Sequence, residues 1–136
     1  MEIPIQQSTP PVDEGLVMLT FLIYGLHGIS AFSGLLSPAF VVTAFLTGWP
    51  SIIAVIINYV KRGAARGTWL ESHFRWQIRT FWYAFLWVTI VLLLAFTVIG
   101  IPVALLIAWF AGLWVLYRIV RGWLRLSDRA PMPVTA

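Results

Sequence analysis

Gly67-Thr-Trp-Leu-Glu-Ser-His-Phe-Arg-Trp-Gln-Ile-Arg79 is the polar interruption of an otherwise apolar chain. Acid, base, imidazole and amide meet in this stretch. Glu71 is the only acidic residue between Glu14 and Asp128, and His73 is one of two histidines. Before it, no charge occurs from Gly15 to Val60; after it, none occurs from Thr80 to Tyr117. Each run is roughly twice the ~20 residues a helix needs to cross the hydrocarbon, so the two together read as four spans. A closed β-barrel, the other solution in lipid, requires period-two alternation, which neither run shows.

Composition agrees. Of the 136 residues, 60% are hydrophobic and only 10% charged. In so short a chain a soluble core would leave much of that apolar surface wet, so lipid is the solvent that fits. The net charge of +4 comes mostly from arginine, with Lys61 the only lysine. These positives stand at the ends of apolar runs, which favours lipid headgroups over nucleic acid as the partner. The chain has no cysteine, which excludes disulfides and thiolate chemistry.

Residues 1–14 hold three acids, three prolines and no base, and read as a disordered N-terminal tail rather than a cleavable signal. Residues 15–126 form the expected four-helix transmembrane domain, and 127–136 a C-terminal tail. The first span covers Leu16 to about Leu36 and breaks at Ser37-Pro38. The second is read as a kinked span from Ala39 to Val60, interrupted at Gly48-Trp49-Pro50. The other course open to the chain runs the first helix to about Thr47 and starts a short helix at Ser51 to Lys61, with Pro50 at its first position. Residues 61–67 make a basic loop. Thr68-x-x-Glu71 then has the pattern of a capping box. It starts a helix whose first three turns lie at the membrane surface as an amphipathic segment, and which continues as span three to about Ile99. Gly100-Ile-Pro102 turns the chain into span four, from about Pro102 to Tyr117, followed by a basic end. All nine basic residues then share one side with both termini, which the positive-inside rule places in the cytoplasm.

The candidate polar or partner-binding cluster is Glu71, His73, Arg75, Gln77 and Arg79. At about 100° per residue, Glu71, Arg75 and Arg79 form one stripe, and His73, Gln77 and Thr80 another. Trp69, Trp76 and Trp82 are interleaved as an interfacial aromatic belt. Two readings stand side by side. In the structural one Glu71 caps its helix and pairs with Arg75 while the arginines reach toward lipid phosphate. In the functional one Glu71 and His73 belong to a buried polar cluster that grips a partner or relays a proton. His27, about 16 Å into the first span, and Asn58 are the intramembrane polar candidates. The two histidines stand at different depths, so a shared metal or haem is not expected. Arg118, Arg121, Arg125 and Arg129 fall on one helical face, an anionic-headgroup pattern. Ala104, Ala108 and Gly112, with Gly25, Gly28 and Ala31 alongside Ser30 and Gly34, are small-residue stripes for helix packing or self-association.

Asn58-Tyr-Val-Lys-Arg62 followed by Gly67 to Trp82 resembles a family of small bacterial inner-membrane proteins of unknown function. That family is distantly similar to the four-helix, channel-like subunit of the chloroplast inner-envelope import translocon. The resemblance covers roughly residues 16–126 and implies a four-helix protein of the bacterial inner membrane, without implying an activity. Phosphate loops, zinc-protease motifs, Ser/His/Asp sets and paired carboxylates are all absent from the sequence, so neither an enzyme nor a cofactor is expected. The expected role is a non-enzymatic accessory or scaffold component of a membrane complex, with a protein partner or a second copy beside it. The alternative is an oligomeric channel or transport component.

Overall fold

The computed structural model describes residues 11–36 and 48–133. They form four helices: α1, Glu14–Leu36; α2, Trp49–Ala65; α3, Leu70–Ala95; and α4, Gly100–Ser127. No strand occurs among the described residues. The helices close into a ring in chain order. α1 packs on α2 and α4, α3 packs on the same two, and α1 meets α3 across the diagonal.

Local chemistry sets the ends. Asp13 accepts the Gly15 N–H at 2.9 Å and opens α1. α1 is described as far as Leu36, and the expected break at Ser37-Pro38 lies outside the described residues. α2 begins at Trp49 with Pro50 in its first turn, as the short-helix course places the start of its second helix; the part of that course before Gly48 lies outside the described residues. The first half of the kinked span lies outside the described residues. The helix runs on to Ala65, so Lys61 and Arg62 are helical and the expected basic loop is shortened to its last residues. The last turns of a helix suit two long cations, because the dipole favours them there. Gly67 then takes φ 77°, the left-handed turn that side chains resist.

The expected capping box is not formed. The Thr68 hydroxyl donates backward to the Ala65 carbonyl at 2.7 Å, and the Glu71 carboxylate accepts the Gly67 N–H at 2.9 Å. The left-handed Gly67 presents its own N–H to Glu71, so the acid closes the turn one residue earlier than the pattern implies.

α1, α3 and α4 are long and apolar enough to cross a membrane, compatible with a membrane protein. α2 has 17 residues, and its uncharged part, Trp49–Val60, rises only about 18 Å. That is short of the ~30 Å hydrocarbon. One end of the ring gathers Leu16, Ala65, Leu70, Phe74, Leu126 and Met132 in a single buried cluster. The start of α1, the α2–α3 turn and the end of α4 therefore share one end of the bundle, as the arginine distribution implies.

At that end the first three turns of α3 have two faces: Leu70, His73, Phe74, Trp76 and Gln77 are buried inside the bundle, whereas Arg75 and Arg79 are exposed. The described residues past α4 pack back on the same end. Met132 is buried and its N–H bonds the Ser72 hydroxyl at 2.9 Å, while Arg129 holds Glu14 through two bonds of 2.7 and 2.8 Å. At the other end is the tip of the α3–α4 hairpin, whose residues Phe96, Val98 and Ile99 are all at least 87% exposed.

Candidate functional site

The bundle buries polar side chains beside its apolar core. Thr20, His27, Asn58, His73, Gln77, Thr80 and Arg118 are buried, whereas the exposed large residues of the hairpin are Trp, Tyr, Phe, Leu, Val and Ile. An exposed surface of that kind is compatible with a hydrocarbon surround.

α3 is the hub. Its inward stripe of His73, Gln77 and Thr80 reaches each of the other three helices. The Gln77 amide accepts from Asn58 Nδ2 of α2 at 2.7 Å and donates to the Thr20 carbonyl of α1 at 3.2 Å. The Thr80 hydroxyl accepts from Arg118 Nε of α4 at 2.9 Å and donates to the Trp76 carbonyl. Trp76 donates its indole N–H to the Arg118 carbonyl at 3.0 Å.

His73 has a tautomer fixed by its partners. Nε2 lies 2.7 Å from the Ala130 carbonyl, which can only accept, so Nε2 carries the proton. Nδ1 is then free to accept from the Tyr24 hydroxyl at 2.9 Å. Tyr24 is wholly buried against Gly122, where a Cβ would overlap its ring and hydroxyl. One chain of contacts thus links α1, α3 and the segment after α4. Deeper along α1, His27 Nδ1 pairs with the Ser51 hydroxyl at 2.9 Å, and the Ser51 N–H donates to Ser30 Oγ at 3.1 Å.

The five-residue cluster read from sequence is therefore two separate faces. His73 and Gln77 face inward, whereas Arg75 and Arg79 are exposed and Glu71 is half-exposed. Two residues of helix turn a side chain by about 200°, so Glu71 and His73 cannot share a site. Glu71 instead pairs with Arg75 at 3.4 Å on the outside. Of the tryptophans, Trp69 and Trp82 are at least partly exposed, but Trp76 is a core residue.

The arginine row also divides. Arg118 is 6% exposed and lies flat on Trp76, its guanidinium carbon 3.7 Å from the ring centroid. Arg129 is past the end of α4, at φ 51°, and bonded to Glu14. Arg121 and Arg125 remain on the helix, half-exposed and exposed. A single-helix projection cannot show that α3 covers Arg118 with an aromatic ring.

Sequence reasoning missed Gly122 and Tyr24. The signal available was faint: one glycine about six turns into a helix, with no small residue three or four positions away in the basic segment. The small residues it did single out divide in use. A Cβ at Gly112 would come within 2.8 Å of Leu35, which marks close α1–α4 approach, while Gly34 has open space beside it. Gly25 and Gly28 floor an apolar groove of about 420 Å³ between α1 and α4, walled by Phe32, Ile119 and Trp123. Among the described residues no group of three His, Cys, Asp or Glu converges as metal ligands do. No family model, curated protein or solved structure matches this chain.

Proposed function

We propose that this chain is a multi-pass protein of the bacterial inner membrane that serves as a non-enzymatic accessory or scaffold subunit of a membrane complex. The observation that carries this reading is how the polar side chains are used. Most of the interior ones are committed to joining α3 to α1, α2 and α4, and the outer surface left over is broad, apolar and free of charge from Thr80 to Tyr117. Such a surface suits lipid and apolar helices as neighbours. The resemblance to small bacterial four-helix membrane proteins points the same way. Both termini belong to the cytoplasmic side in this reading, because the basic residues cluster at their end of the bundle. A fourth crossing would combine α2 with residues 37–47, which lie outside the described residues.

The test is extraction in native lipid discs followed by mass spectrometry. The reading expects a protein partner in fixed stoichiometry, and lipid alone around a single chain would count against it. A channel or transport role has one observation in its favour: Gln77–Asn58, His73–Tyr24 and His27–Ser51 stand at successive levels within one chain. Flux into liposomes that His27→Ala abolishes would move the assignment to that second role.

A further inference from the structure

The charge-free part of the α3–α4 hairpin is bounded by Arg79 on one helix and Arg118 on the other. The helices run antiparallel and in register there: Arg118 bonds Thr80, and Tyr83 meets Trp114 edge-on with ring centroids 5.7 Å apart. From Arg79 to the end of α3 the chain rises about 24 Å. With the turn added, this approaches the ~30 Å thickness of the hydrocarbon. These arginines stand where the phosphate layer of one leaflet begins.

Among the described residues no acid pairs with Arg118: Glu71 pairs with Arg75 and Glu14 with Arg129. The formal charges within electrostatic reach of Arg118 are Arg79 and Arg121, both of like sign. Its guanidinium is walled by Trp76 at 3.7 Å, Trp114 at 5.1 Å and Tyr83 at 5.6 Å. Arg121 approaches the same Trp76 ring, at 5.7 Å. One terminal nitrogen of Arg118 is enclosed and has no hydrogen-bond partner among the described residues. Aromatic faces offset part of the cost of desolvating a cation. They neither bond the orphan nitrogen nor relieve repulsion between neighbouring guanidiniums. A multidentate anion does both, and guanidinium–phosphate pairing has the matching geometry.

We propose that the α3–α4 seam at Arg118 and Arg121 binds the phosphate of an anionic phospholipid, with Trp76, Tyr83 and Trp114 as its walls. Entry is a side-chain movement of Trp114 or Arg121, both incompletely buried. The site differs from the four-arginine row read from sequence: Arg125 and Arg129 are outside it. It is independent of the accessory-subunit reading, because the lipid binds whichever protein stands next to the bundle.

The test is native mass spectrometry of the full chain in detergent, titrated with phosphatidylglycerol or phosphatidylcholine. Wild type should retain one phosphatidylglycerol in preference to phosphatidylcholine. Arg118→Gln would also remove the Trp76 stack and the Thr80 bond, so Arg121→Gln carries the test. It should weaken the preference about fivefold, the weight of one arginine near an anionic surface. Arg125→Gln should leave the preference unchanged. Absence of a preference, or equal losses in the Arg121 and Arg125 variants, would overturn the site in favour of diffuse charge. Inorganic phosphate at the same concentration should not displace the lipid; displacement would assign the site to free phosphate and overturn the lipid proposal.

Discussion

Gly122→Ala tests the packing that holds Tyr24 in place. A methyl group there would sit inside contact distance of the Tyr24 ring and hydroxyl. The ring has nowhere to go: Tyr24 is 1% exposed, and its hydroxyl is bound to His73, which is itself held by Ala130. Overpacking a full core costs about 1–3 kcal/mol. Loss of the buried hydrogen bond adds about 0.5–1.5 kcal/mol. Alanine returns up to about 1 kcal/mol in helix propensity. The net expectation is a loss of about 2 kcal/mol. Gly28→Ala is the matched control, because its Cβ would lie 3.7 Å from Ile119, an ordinary contact. It should be neutral, or stabilising by up to about 1 kcal/mol. The assay is unfolding by dodecyl sulfate from mixed micelles, followed by near-ultraviolet circular dichroism. Equal midpoints for wild type and Gly122→Ala would refute the reasoning. The double variant with Tyr24→Phe should lose less than the sum of the two, since both act on one contact.

Other consequences follow from the same geometry. The Asn58–Gln77 tie should show a coupling of about 0.6–1.7 kcal/mol in a double-mutant cycle to alanine, read by the same unfolding assay. Glu71→Ala should cost less than about 1 kcal/mol, because the acid serves one turn N–H and a half-exposed ion pair; loss of a partner without loss of stability would restore a functional role to Glu71. Gly63→Cys, in a chain with no other cysteine, should react with a membrane-impermeant thiol reagent only from the cytoplasmic side. Labelling from the periplasm would remove the proposed topology.

Much of the helical course is legible in the sequence because charge and proline mark it directly. The charge-free runs become α1, the first part of α2 and the α3–α4 hairpin, and Pro50 and Pro102 sit in first turns. The two stripes of α3 are legible too, since periodicity separates Glu71 from His73. Periodicity does not say which stripe faces inward. In a soluble helix polarity would decide that, but in lipid the buried face can be the polar one. Arg118 illustrates the limit. Its fate depends on Trp76, some forty positions earlier, and no spacing within α4 encodes that contact. The Tyr24–Gly122 fit is equally non-local. The chain from 37 to 47, on which the number of crossings turns, lies outside the described residues.

The central claim is a membrane bundle: polar ties between the helices inside, hydrocarbon around the hairpin. Single-cysteine spin labels in bilayers test it most directly, at Phe85, Leu93, Leu106 and Phe110, which are all exposed on the hairpin. The account predicts frequent collision with oxygen and little with a water-soluble nickel chelate at all four positions. Free access of the chelate to Leu93 or Phe110 would put water where the account puts lipid, and would contradict it.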